Sequence, residues 1–203
     1  FINVSLSNLE TNGGKIEAVE LAYNEEKAKI SIEQFIDQFP KHERIAEAHL
    51  AIASLLLQES PTNYDSANDS LTKGKAHAVR STDKERADYL DFWINENSSE
   101  IDTIELKGNS FVEKWPNSSH SPEIRMRLGE IFYINKDYSK ALLNFEKLFT
   151  NYSNSELAIR SMYFAAHSAK LTLSEEGIER ALNLFQKVAE TKTSLSPKAI
   201  LES

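Results

Sequence analysis

Residues 122–155 read PEIRMRLGEIFYINKDYSKALLNFEKLFTNYSNS. Leu128, Gly129 and Phe132 recur at helical spacing, the polar run Asn135-Lys136-Asp137 interrupts them, and Tyr138, Ala141 and Phe145 take the period up again. The pattern predicts two antiparallel helices joined by a short turn. Gly129 and Ala141 are small where the helices approach closely. Leu128, Phe132 and Phe145 are large and fill the space on either side of that contact.

Outward from this hairpin the second-helix signature repeats. Tyr138-x2-Ala141-x3-Phe145 is echoed by Tyr64-x2-Ala67-x3-Leu71 and Ile178-x2-Ala181-x3-Phe185, and in part by Ala28-x3-Ile32. A second echo marks where these helices end: residues 35–40, 111–116 and 148–153 align, two of them closing on Pro40 and Pro116. Proline cannot continue a helix and biases the preceding residue towards extended backbone, so it suits an exit turn. The two prolines are 76 residues apart, and Trp115 and Tyr152 are 37 apart, which sets the period near 37–38. First helices match too. Ile45, Ala48, His49, Ile52, Ala53 and Leu56 share one face, as do Ala158, Met162, Ala165, Ala166 and Ala169.

Helices are therefore expected near 15–23, 25–38, 43–58, 63–78, 83–96, 100–114, 121–134, 138–150, 155–171, 176–190 and 196–203. They pair into about five hairpins plus the start of another helix, in one array over 1–203. Residues 1–14 read as an irregular lead-in and 111–203 as the clearest repeats. The pattern is most degenerate over 59–110, where Gly108 stands in place of a bulky residue. Ala199-Ile200-Leu201 reads as the first turns of a further helix, so the array is expected to continue past Ser203. A start at Phe1 rather than Met is expected of a processed form or a trimmed chain, with room for a leader or lipid anchor upstream.

The motif Leu128-Gly129-x2-Phe132, then Ala141-x3-Phe145, resembles the tetratricopeptide repeat (TPR) family. Arg125 replaces the family tryptophan, Leu148 its later alanine and Ser153 its proline. The resemblance implies an all-α, right-handed solenoid of helical hairpins. The exit motif, an aromatic followed by Pro and then a Ser/Asn stretch at 117–121, is similar to TPR proteins of bacterial envelopes. Among these are the helical lipoprotein of the outer-membrane β-barrel assembly machine and the TPR coordinator of the Tol-Pal system. That likeness favours a periplasmic or cell-envelope setting.

Composition closes several routes. With no cysteine, disulfides and thiolate chemistry are excluded. The first hundred residues carry 10 Lys/Arg against 18 Asp/Glu and the rest 13 against 13, so the acidic half repels nucleic-acid backbones. No apolar run reaches the ~20 residues of a membrane span. His42, His49, His77, His120 and His167 are scattered, although His42 and His49 could share a helix face, and no metal-ligand spacing joins them to carboxylates. Asn12-Gly13-Gly14-Lys15 lacks the spacing of a phosphate loop and reads as a turn. Glu25-Glu26 and Glu175-Glu176 read as helix starts, where carboxylates meet the positive end of the dipole.

No catalytic constellation, cofactor site or metal site is expected, and the function is expected to be protein binding. In TPR proteins the first helix of each pair lines a concave groove. The resemblance therefore places Glu123, Met126, Glu130, Tyr133 and Ile134 from one unit, and Arg160, Tyr163, His167 and Lys170 from the next, on that surface. Such a mixture suits a peptide or partner helix, with apolar anchors for affinity and charges for register. The competing expectations are packing between repeats for these side chains. For the whole chain they are a helical accessory part of an enzyme, or a self-associating structural module.

Overall fold

Three of the helices start on a side chain that satisfies their first free amides. Asn63 Oδ1 accepts from Ser66 N at 3.1 Å, Asp137 Oδ1 from Lys140 N at 3.0 Å and Ser174 Oγ from Gly177 N at 3.0 Å. These residues open α3 (Tyr64–His77), α7 (Tyr138–Asn151) and α9 (Glu175–Glu190). Between them lie α5 (Ile101–Lys114) and the intervening helices α4 (Ser81–Glu96), α6 (Ser121–Ile134) and α8 (Ala158–Leu171). The chain begins with α1 (Asn12–Gln38) and α2 (Ile45–Leu56) and ends with α10 (Ser196–Glu202). This computed structural model describes residues 12–59, 61–97, 100–191 and 193–202. Among the described residues there are ten helices and no strand, and consecutive helices pack on one another from α1 to α4 and from α5 to α10.

The repeat period is visible in the starts of α3, α5 and α7 at Tyr64, Ile101 and Tyr138, 37 residues apart each time. It therefore runs through the stretch whose sequence pattern is weakest. Ala67, Ile104 and Ala141 hold one register position and Leu71, Gly108 and Phe145 the next, and all are buried. Gly108 needs no bulk of its own, because Leu128 from α6 occupies the place: a Cβ on Gly108 would stand 2.8 Å from Leu128 Cδ1. In α9 the same buried pair, Ala181 and Phe185, comes 40 residues after Ala141, because α9 carries an additional N-terminal turn.

The chain divides into two compact units, residues 1–98 and 99–203. In the first, Leu50, Ile52, Ala53 and Leu56 of α2 pack with Ala67 and Leu71 of α3 and Ala87, Leu90 and Ile94 of α4, and Ile32 and Ile36 of α1 lie against them. Gly74 lets α3 approach Leu50 closely, since a Cβ there would stand 2.7 Å from Leu50 Cδ2. In the second unit, Leu128 and Phe132 of α6, Phe145 and Leu148 of α7, Ala165, Ala166 and Ala169 of α8, and Leu184 and Phe185 of α9 are all but inaccessible to solvent.

Several expectations change. The two helices anticipated over 15–38 are one, α1, because no Pro or Gly lies between Lys15 and Gln38 to end the first. The residues at 12–15 are its first turn, not a loop. The rest of the expected lead-in, 1–11, lies outside the described residues. Glu25 and Glu26 are consequently mid-helix, whereas Glu175 and Glu176 do occupy the first turn of α9. Ala28 is exposed and lies off the buried face of α1, so its echo of the repeat carries no packing. His42 falls in the turn before α2 and packs edge-on against Phe35, 5.2 Å between ring centroids, so it shares no helix face with His49. Helices 83–96 and 100–114, expected as one hairpin, belong to different units.

Candidate functional site: the paired faces of α6 and α8

Glu123, Arg127, Glu130 and Ile134 of α6 stand outside the buried set at spacings of three and four, as do Arg160, Tyr163, His167 and Lys170 of α8, so each helix offers a continuous strip beside its buried one. An ion pair joins the two strips. Arg160 Nη2 on α8 lies 3.2 Å from Glu130 Oε1 on α6. Arg127, a turn before Glu130 on α6, holds its other oxygen at 3.3 Å. One carboxylate thus serves two guanidinium groups.

Aromatic rings continue the seam. Tyr133 on α6 meets Phe164 on α8 at 6.3 Å between centroids and Tyr138 of α7 at 5.6 Å. Phe164 stacks on buried Phe145 at 5.7 Å and carries the Arg160 guanidinium 5.6 Å over its ring. Tyr163 and His167, one turn apart on α8, pack edge-on at 4.6 Å, and both reach Phe185 of α9, at 5.8 and 5.0 Å. Edge-to-face contacts of this kind favour the aromatic quadrupole and hold the rings in place. Partial burial, with Tyr138 and Tyr163 nearby, pushes the Tyr133 phenol above its ordinary value, so it stays a neutral donor and acceptor at pH 7.

The structure thus gathers Glu130, Tyr133, Arg160, Tyr163 and His167 on two adjoining helices. Of the other residues expected there, Met126 alone is core. Met126 is buried at 5% exposure and lies beneath the strip as core. Glu123 sits in the first turn of α6, 3.8 Å from His120 Nδ1. Lys170 is exposed in the last turn of α8, and Ile134, 71% exposed, ends α6. Phe164, at the centre of the cluster, was not singled out from the sequence. Its signal was the i, i+4 spacing from Arg160, which stacks the cation on the ring.

Two further ion pairs repeat at nearly the same sequence separation on the other helices of this unit. Lys140 Nζ of α7 lies 2.7 Å from Glu105 of α5, and Arg180 of α9 lies 2.7 Å from Glu146 of α7. Deeper, Arg125 of α6, 6% exposed, donates to Asn109 Oδ1 of α5 at 2.6 Å and to Asn144 Oδ1 of α7 at 3.1 Å. It ties three helices together by hydrogen bonds. Burial pulls its guanidinium below its ordinary value.

Among the described residues no group of three His, Asp or Glu side chains is placed to hold a metal ion. Depressions of about 450 and 480 Å³ lie at interhelix turns, one between Pro116–Ser119 and Asn151–Ser155, the other lined by Glu59 and Pro61–Asp65, and neither is lined by Glu130, Tyr133, Arg160, Tyr163 or His167. No described helix is long and apolar enough to cross a membrane. No protein-family model matches the chain, and no curated protein matches it in sequence.

Proposed function

We propose that this chain is a TPR-like α-solenoid that binds a partner protein or peptide through the α6/α8 strip. The observation that carries the reading is the junction of Glu130 and Tyr133 with Arg160, Tyr163 and His167, on two helices that occupy the same place in successive hairpins. The 37-residue period of α3, α5 and α7, and the close approach of Gly129 to Phe145, support the repeat architecture on which it rests. Rings already held by their neighbours lose little conformational freedom on binding, while the Arg160–Glu130 pair supplies polarity at the rim. Assembly at a bacterial envelope is the setting that the likeness to envelope TPR proteins suggests.

A second reading, self-association, draws on Leu106 of α5 and Leu143 of α7. They are 37 residues apart and 65% and 49% exposed, with Leu182 of α9 at 45%. The test uses the intact chain and a Tyr133→Ala/Arg160→Ala variant as parallel baits for partners from the source organism. A protein retained by the first and lost from the second, with the helical signal of both unchanged, supports the proposal. Equal retention by both moves the binding surface elsewhere.

A further inference from the structure

His49 and His77 lie outside the strip described above, in the first unit. His49 is half-buried on α2, and His77 is exposed in the last turn of α3. Their rings lie 6.1 Å apart between centroids and 28° from parallel. His77 is fixed in place: its Nδ1–H donates to the backbone carbonyl of Lys73 at 2.9 Å. The pair sits beside the closest approach of the two helices. Leu50, next to His49, is fully buried, and a Cβ on Gly74, next to Lys73, would stand 2.7 Å from its Cδ2.

We propose that the His49–His77 pair is a proton-sensitive joint of the α2–α3 hairpin, closed when both imidazoles are neutral and forced apart when both are charged. Among the described residues, the charged and titratable groups that act on His49 all come from α3: His77, Lys73 and Asp69, with none from α1 or α4. Asp69 is the single anion, and Lys73 Nζ already holds it at 2.6 Å. Two protonated rings would therefore add two positive charges beside an ammonium, with one carboxylate to offset all three. Burial first, then His77 and Lys73, pull His49 below the ordinary histidine value, and Asp69 opposes them weakly.

The sign follows from that depression. The folded state holds His49 neutral, so its contribution is complete above the unfolded histidine value of about 6.5 and is lost as pH falls through the lower folded value. A charged His49 regains hydration by moving away from α3, and that movement unseats Leu50 from Gly74.

The test is urea unfolding of the full chain carrying Trp115→Phe, so that fluorescence reports Trp93 of α4 in the same unit. It is run at pH 7.5 and 5.5, with and without His77→Gln, an exposed position where Gln keeps polarity but cannot charge. Acidification should raise the unfolding constant roughly threefold more in the histidine parent, the Coulomb penalty of like charges about 6 Å apart at water-like dielectric. Equal pH dependence in the two proteins overturns the proposal. Proton NMR titration of His49 is the second readout. Its midpoint should rise in the His77→Gln protein, and an unchanged midpoint also refutes the joint.

Discussion

Gly129→Ala tests the helix approach on which the repeat reading rests. An added Cβ would stand 2.5 Å from Phe145 Cε1, 2.7 Å from Cδ1 and 2.8 Å from Cζ, against the 3.4–4 Å of ordinary contact. The ring would have to retreat by about 1 Å, and overpacking of that kind costs about 1–3 kcal/mol. Phe145 is fully buried and stacked on Phe164 at 5.7 Å, so it cannot swing out and the cost belongs at the upper end. Alanine returns about 1 kcal/mol through helix propensity. The net expectation is a loss of about 1–2 kcal/mol, or a Tm lower by several degrees. Urea unfolding monitored by circular dichroism and Trp115 fluorescence measures it. Phe145→Leu alone should cost about 1–2 kcal/mol for the volume removed. Combined with Gly129→Ala it should cost clearly less than the two single losses together, because the smaller side chain makes room for the methyl. A neutral or stabilising Gly129→Ala, or simple additivity in the double variant, would refute the close approach of α6 and α7.

Other expectations concern single sites. Leu173, 82% exposed, sits at φ 57 in the turn before α9, a conformation that costs an L-residue about 1–2 kcal/mol, so Leu173→Gly should raise the thermal midpoint modestly. Arg125→Leu should lower stability by about 1–3 kcal/mol in denaturant titration, because it strips the donor from Asn144 Oδ1, a buried residue. Hydrogen bonds from Arg44 and Arg80 hold the Glu47 carboxyl down at about 2. Its stabilisation of the first unit is therefore complete above the ordinary value of 4.5 and is lost as pH falls towards 2. The side chain is 34% exposed, and solvent screening limits the effect to about 1 kcal/mol. Stability measured between pH 5 and 2.5 should fall more steeply in the parent than in Glu47→Gln.

The helices were legible because their punctuation is local. The polar run Asn135-Lys136-Asp137 separates two helices, and Pro40 and Pro116 follow helix ends, so the sequence map matches α2 to α9 within a few residues. The fusion of the first two expected helices shows the converse: Asn24 and two glutamates are weak helix formers at worst, and nothing there compels a break. Packing was legible where one residue type serves one role, as with Ala141 and Phe145. It was not where a partner supplies the volume, as Leu128 does for Gly108. The α6/α8 strip was readable only in outline. The TPR resemblance put Met126 and Tyr133 on the same side of α6, yet Met126 is core and Tyr133 is half-exposed, because burial there depends on how the neighbouring hairpin sits. Phe164 was passed over for the same reason, since its surroundings come from Phe145 and Tyr133, distant in sequence.

The most direct test of the scaffold reading is hydrogen exchange of the chain alone and with its captured partner. The account predicts added protection in peptides spanning 121–134 and 158–171, and its loss in the Tyr133→Ala/Arg160→Ala variant. Protection confined to peptides of α5, α7 and α9 would contradict it and place the interaction on the Leu106–Leu143 side instead.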